Sequence, residues 1–348
     1  MKQIKFKFLA IFTIACSLLI GVYATVEAKE QAAAPAKKAQ VTKTTTPKKS
    51  VIKRKSAPRI TPYKPAPKRR RPYRLMGASQ MISKDVEPGT RLPRLESSSV
   101  LVVDAQGNFV FSKKEQEVRP IASITKMMTA MVVLDQNLPM DEVLTITAED
   151  QDNLRHSRSR LRPNQATLTR EQMLHVALMS SENRAASALG RTTFPGGITE
   201  FVEAMNRKAQ ELGMINTRFA DSTGLLVTNV STATDLVKML GAARNYPLIR
   251  AATTTPEADF SPYANKPSLH YVNTNRLVHY KNPEWEVLLS KTGFINEAGR
   301  CLVMEARLPQ GTYDFVFLNA PGKLSPIGDS NRLRRWIAQR VAAPTQSM

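Results

Sequence analysis

The chain has 348 residues, with 50 Lys and Arg against 29 Asp and Glu and a formal net charge of +21. The excess is local: residues 1–28 carry +2, residues 29–75 carry +15, and residues 76–348 carry only +4. That distribution excludes a protein basic throughout, of the kind that packages nucleic acid, and the two cysteines, Cys16 and Cys301, exclude a disulfide scaffold.

Lys2, Lys5 and Lys7 precede an apolar run from Phe8 to Tyr23, and Val26-Glu27-Ala28 puts small residues where a signal peptidase reads. Residues 1–28 are expected to be a signal peptide, because the 16-residue apolar run falls short of the roughly 20 that span a bilayer. An uncleaved N-terminal anchor is the alternative. Residues 29–75 are Lys, Arg, Ala, Thr and Pro, with seven prolines, and cannot bury enough apolar surface to offset chain entropy. A disordered basic linker is expected there. An exported linker meets no genome, so nucleic acid is not an expected partner. Its charge suits an anionic membrane or wall surface, with a plain solvated spacer as the alternative.

Residues 76–348 are expected to fold as one domain. Ser98 to Asp104 and Phe109 to Phe111 read as a hairpin around Gly107. Ile121 to Leu134 is apolar almost all round, which predicts a helix buried on every side. Glu171 to Leu189 reads as a helix with a polar interruption at Ser180 to Asn183. Ile198, Phe201, Val202, Met205, Ala209 and Leu212 share a helical face that Gly213 ends. Ser231 or Thr232 is expected to cap a helix through Leu240. Val287 to Leu289, Cys301 to Ala306 and Tyr313 to Leu318 read as strands. Asp329 or Ser330 is expected to cap a closing helix from about Leu333 to Val341. Strands, helices, strands and a last helix predict an α+β fold whose sheet is built from both ends of the domain.

Three motifs appear in order: Ser123-Ile124-Thr125-Lys126, Ser181-Glu182-Asn183, and Lys291-Thr292-Gly293 just after an apolar strand. At a helix start, positions i and i+3 are neighbours, so the Lys126 amine falls beside the Ser123 hydroxyl. A serine needs a base, and lysine serves only when burial and a second cation, here Lys291, lower its pKa. The helix N-terminus adds N–H groups near a developing oxyanion. Singly the motifs are weak: a second Ser-x-x-Lys lies at Ser50 to Lys53 in the linker. Their order and placement give them weight.

With these motifs the chain resembles the penicillin-recognising serine transpeptidase and DD-peptidase superfamily. The resemblance rests on Arg119 to Asp135, Ala177 to Ala186 and Ser290 to Met304, and runs from about Ser97 to Ala338. It implies a β-lactamase/transpeptidase-like fold: an antiparallel sheet of about five strands, flanking helices and an inserted all-helical subdomain. It implies Ser123 as acylated nucleophile, Lys126 as base and Ser181 as proton relay. Asn183 would hold the substrate amide, Lys291 and Thr292 its carboxylate, and the amides of Ser123 and of Phe294, just after Gly293, the oxyanion. Peptidoglycan stem peptides are the implied substrate, β-lactams covalent inhibitors, and the periplasm the location, with no cofactor and no metal.

Within the family, class A lactamases need Glu-x-x-x-Asn between the second and third motifs, and the one copy, Glu149 to Asn153, precedes them. The 55 residues after Gly293 are expected to complete the sheet and last helix without a further domain, favouring a DD-endopeptidase over a DD-carboxypeptidase. A wall-binding protein without activity is the remaining alternative. His156, His175, His270 and His279 lack metal-ligand spacing. Arg155, Arg158, Arg160 and Arg162 are expected to border the cleft and attract stem carboxylates, with a solvated loop as the alternative.

Overall fold

The computed structural model describes residues 92–342. The expected signal peptide, the basic linker and residues 76–91 of the expected domain lie outside the described residues. In chain order the domain opens with β1 (Ser99–Asp104), β2 (Phe109–Lys113) and the short β3 (Arg119–Pro120). A 3-10 turn, Ala122–Ile124, leads into α1 (Thr125–Asp135). Then come β4 (Val143–Thr145), β5 (Thr167–Thr169), α2 (Arg170–Met179), α3 (Asn183–Thr193), α4 (Gly197–Glu211) and β6 (Val230–Ser231). Next are α5 (Ala233–Ala243), α6 (Pro247–Thr254), β7 (Glu257–Phe260), β8 (Leu269–Val272) and α7 (Arg276–His279). The chain closes with β9 (Glu286–Ile295), β10 (Gly299–Leu308), β11 (Gly311–Ala320) and α8 (Ser325–Ala342).

One antiparallel sheet of five strands, in the order β2-β1-β11-β10-β9, organises the fold. Its strands alternate in side-chain direction, and the two faces feed two separate cores. Leu101, Val103, Val303, Val316 and Leu318 pack with Met127, Met128 and Met131 of α1 and with the helical block. Val100, Val102, Leu302, Met304, Phe315 and Phe317 pack with Leu333, Trp336 and Ile337 of α8. With both faces covered, the middle strands read as unbroken apolar runs such as Ser-Val-Leu-Val-Val. The fold is the expected α+β arrangement, with β1 and β2 from one end of the domain joined to β9, β10 and β11 from the other.

Several boundaries depart from the sequence reading. The helix expected over Glu171 to Leu189 is two helices. Ser181 has φ +62, a left-handed backbone that breaks α2 from α3, and the Glu182 side chain caps α3 by accepting from the Arg184 amide at 3.2 Å. Thr232, of the two candidates, caps α5, accepting from Asp235 at 3.1 Å. α8 starts at Ser325, so neither Asp329 nor Ser330 is its cap. Asp329 is fully buried inside the helix and accepts from the Glu96 amide (3.1 Å), the Ser97 amide (2.8 Å) and the Ser97 hydroxyl (2.6 Å). It ties the segment leading into β1 to α8. β9 continues to Ile295, so Lys291-Thr292-Gly293 lies within the strand, paired with Val303, Leu302 and Cys301, and not after it.

Candidate active site

Ser123 sits on the 3-10 turn that feeds α1. Ala122 just before it has φ +48, and the Ile121 amide is anchored to the Asn229 carbonyl at 3.0 Å. Two glycines press against this turn. A Cβ on Gly224 would lie 2.1 Å from the Ala122 carbonyl oxygen, and one on Gly293 would lie 2.8 Å from the Ile121 oxygen and 3.2 Å from the Ser123 nitrogen. Only a residue without a side chain lets β9 and the 221–229 loop approach so closely. Gly293 thereby brings the backbone of β9 beside the Ser123 amide.

The structure brings the three motifs together. Lys126 Nζ is 2.9 Å from Ser123 Oγ, 2.7 Å from Asn183 Oδ1 and 2.6 Å from the Thr223 carbonyl oxygen. Lys291 Nζ donates to Ser181 Oγ at 3.0 Å and to the Thr292 carbonyl at 2.9 Å. Thr292 Oγ1 donates to Thr274 Oγ1 at 2.7 Å, and Asn183 Nδ2 to Ser157 Oγ at 2.8 Å. Ser123, Ser181, Asn183, Thr292, Gly293 and Phe294 all line one cavity of about 620 Å³. Both lysines are buried behind its wall, each 1 % exposed.

Burial sets the electrostatics. It lowers the Lys126 pKa to about 8, against the pull of Asp221, Glu182 and Asp152, whose carboxylates favour the charged form. Lys291 is held well below the usual lysine range, first by burial and then by repulsion from Lys126. Of the two expected causes for Lys126, burial acts as expected and the neighbouring cation does not. Desolvation on the apolar helix does the lowering at Lys126, and the mutual repulsion is felt at Lys291. Burial raises the pKa of Glu182 in turn, although Ser159, the Arg184 amide and Lys126 pull the other way.

Three partners around Lys126 Nζ have a chemical consequence. An ammonium has three N–H donors; a neutral amine has two and a lone pair. Asn183 Oδ1 and the Thr223 carbonyl can only accept, whereas Ser123 Oγ can accept or donate. Losing a proton therefore leaves both acceptors satisfied and turns the lone pair toward the Ser123 hydroxyl. That is the arrangement a lysine base requires.

Thr223 and the loop that shapes it carried no motif in the sequence reading. Asp221 accepts from the amides of Thr223 (2.7 Å) and Leu226 (2.8 Å), forming the tight loop that points the Thr223 carbonyl at Lys126. Its signal was the Asp-Ser-Thr-Gly turn, with Gly224 at φ +83. Thr274 and Ser157, on loops, were also missed. The arginine cluster divides. Arg155 lines the cavity, donates to the Leu225 carbonyl at 2.6 Å and pairs with Glu297 at 2.9 Å. Arg160 turns to β8, donating to the His270 carbonyl and stacking 4.0 Å from the Tyr271 ring centre, while Arg158 is exposed to solvent. The four do not act as one cleft-lining group.

Among the described residues no group of three His, Cys, Asp or Glu could hold a metal ion, and no helix is long and apolar enough to cross a membrane. Cys301 is buried and unpaired as a thiol.

The family model described as D-alanyl-D-alanine carboxypeptidase matches residues 86–322. A D-alanyl-D-alanine endopeptidase of Pseudomonas aeruginosa is 45 % identical over 266 residues, covering 75 % of this chain and 84 % of that protein. The Streptomyces K15 DD-transpeptidase structure is similar with a TM-score of 0.65 and 26 % identity, over 71 % of this chain and 98 % of that one. Penicillin-binding protein D2 of Listeria monocytogenes, solved in its ampicillin-bound form, has a TM-score of 0.58 and 27 % identity, over 70 % and 97 % of the two chains.

Proposed function

Because the chain belongs to the D-alanyl-D-alanine carboxypeptidase family of serine peptidases, we propose that it hydrolyses D-alanyl cross-links between peptidoglycan stem peptides through an acyl-enzyme on Ser123. The observation that carries this reading is the 2.9 Å contact of a buried, pKa-lowered Lys126 with the Ser123 hydroxyl. Neutral Lys126 takes the hydroxyl proton as Ser123 Oγ attacks the D-alanyl carbonyl carbon. The Ser123 and Phe294 amides receive the oxyanion, worth several kcal/mol where the donors are already in place. Ser181, held by Lys291, passes its proton to the departing amine as the C–N bond breaks and is reprotonated with the one Lys126 took, leaving Lys126 neutral and the acyl ester on Ser123. Asn183 takes the substrate amide, and Lys291 with Thr292 the carboxylate beside the scissile bond. Water then hydrolyses the ester by the same proton path in reverse.

A β-lactam enters as an analogue of the acyl group. Ring opening forms the same ester, but the amine stays tethered and blocks the water. The ampicillin-bound relative supports β-lactams as ligands here. The 45 % identical relative named as an endopeptidase supports the cross-link as substrate, while the family description keeps D-alanine trimming as the second reading. Digestion of purified sacculi separates them. Wild type should release monomers from dimers, Ser123→Ala should not, and loss of terminal D-alanine alone would identify a carboxypeptidase.

The reading extends to residues outside the described ones. Residues 1–28 direct export to the periplasm, residues 29–75 tether the catalytic domain to anionic wall or membrane surface, and residues 76–348 form that domain. The +15 charge of the linker supports the tether. Retention on isolated walls should fall with added salt and vanish when residues 29–74 are deleted. Equal retention of both forms would refute it.

A further inference from the structure

We propose that the lobe of the cavity beyond Thr292, walled by Arg300 and Lys323, is a subsite for a carboxylate on the second stem, the one that leaves with the amine when a cross-link is cut. The inference rests on the endopeptidase reading and names what distinguishes its substrate.

The placement follows from strand alternation. Lys291 and Gly293 face the helical block, where they meet Ser181 and the Ser123 turn. Thr292 and Phe294 therefore face the other side of β9. Across the ladder Thr292 pairs with Leu302 and Phe294 with Arg300, so these four share one face of the sheet edge, where Leu302 packs into the core against α8 and Phe294 is exposed. The cavity continues over this face to Lys323 and to Pro326 and Ile327 at the start of α8. With the carboxylate beside the scissile bond on Thr292, as proposed above, the leaving amine departs on the Thr292 side of the cavity that Ser123 also lines. A departing D-alanine stops there. A departing stem continues into the lobe with its further carboxylates.

The lobe is charged for such a guest. Arg300 and Lys323 both line it, and among the described residues neither has a carboxylate partner. Other arginines at the sheet do: Arg307 of β10 pairs with Glu286 at 2.8 Å, and Arg244, at the end of α5, with Asp314 of β11 at 2.7 Å. The Arg300 guanidinium carbon lies over the Phe294 ring, 3.5 Å from its centre, a cation–π contact that steadies the side chain where a carboxylate would meet its N–H donors. Partial burial lowers the Arg300 pKa, a desolvation cost that an arriving anion offsets. Leu302, Pro326 and Ile327 form an apolar floor that strengthens the pairing by keeping water out.

The test uses the mature protein, the variants Arg300→Gln and Lys323→Gln, and the double variant. One readout is turnover of a tetrapeptide–tetrapeptide muropeptide dimer against a pentapeptide monomer. The other is protection of Ser123 from a fluorescent penicillin by the free tetrapeptide monomer, the product that would leave through the lobe. The double variant should lose about tenfold more kcat/KM on dimer than on pentapeptide, and should need about tenfold more tetrapeptide for half protection. Protection decides the subsite: half-protection concentrations within about twofold of each other overturn the proposal, whatever the turnover. Dimer cleavage decides the reading beneath it: wild type that leaves dimers intact while trimming pentapeptide overturns the endopeptidase assignment, whatever the protection. Lys323 is exposed, so its single variant reports even where the Arg300 substitution harms folding.

Discussion

Gly224→Ala is expected to disable Ser123 without touching a catalytic group. The new Cβ would lie 2.1 Å from the Ala122 carbonyl oxygen, 2.4 Å from its carbon and 2.8 Å from the Ser123 nitrogen, all backbone atoms that cannot rotate away. Ordinary contact begins near 3.4 Å, so the loop and the nucleophile turn must part by about 1.3 Å. A misplacement of about 1 Å at reacting atoms costs on the order of 100-fold in rate. The substitution also forces a side chain onto φ +83, an added cost of about 1–2 kcal/mol. Two companions separate these effects. Gly213→Ala shares the left-handed backbone, φ +68, but its Cβ would meet nothing within 4 Å. It should cost about 1 kcal/mol of stability and leave acylation alone. Gly293→Ala has no such φ penalty but a Cβ 2.8 Å from the Ile121 oxygen, so its loss should fall between the other two. Second-order acylation by a fluorescent penicillin, with thermal unfolding on the same samples, gives the order. A folded Gly224→Ala protein that acylates within about twofold of wild type would refute the close-approach argument.

With neutral Lys126 as the proposed base, acylation should rise with pH through an apparent pKa of about 8 and level off above it; a profile flat from pH 6 to 10 would exclude that role. Glu182→Gln removes a carboxylate that favours the Lys126 ammonium, so it should move the profile toward lower pH and speed acylation at pH 7. A shift upward would show that capping α3, not charge, is what Glu182 contributes. Asp329→Ala strips the acceptor from the Glu96 and Ser97 amides and leaves Arg332 without that carboxylate, 2.7 Å away. It should lower the free energy of urea unfolding by about 3 kcal/mol, and a loss under about 0.5 kcal/mol would refute the anchor.

The sheet strands and the buried helix were legible because their side-chain periods are set by what covers them: both faces for β1, every side for α1. The motif residues were legible for a different reason. Ser123 and Lys126 are local neighbours, and the chemistry of one demands the other. What escaped is what tertiary contact decides. The Thr223 carbonyl is a backbone acceptor that any residue type supplies, and only the packing of Gly224 on Ala122 aims it at Lys126. Asp329 looked like a cap because buried and capping aspartates share one local pattern; its partners, Glu96 and Ser97, are 233 and 232 positions away. The short β4 and β5, β7 and β8 and the single-turn α7 are likewise too brief to show a period, and α6 is announced only by Pro247 at its first turn.

Strand β9, which carries Lys291 and Thr292, joins a sheet whose other half was synthesised long before, as the Ser98 to Asn319 hydrogen bond across 221 positions illustrates. A nascent chain holding Ser123 and Lys126 but lacking that edge has neither the residues proposed to take the carboxylate nor the second amide proposed for the oxyanion. Competence therefore arrives late and all at once, after slow long-range closure. A peptidase built this way keeps its own timer: its three motifs meet only once nearly the whole polypeptide has been made and folded.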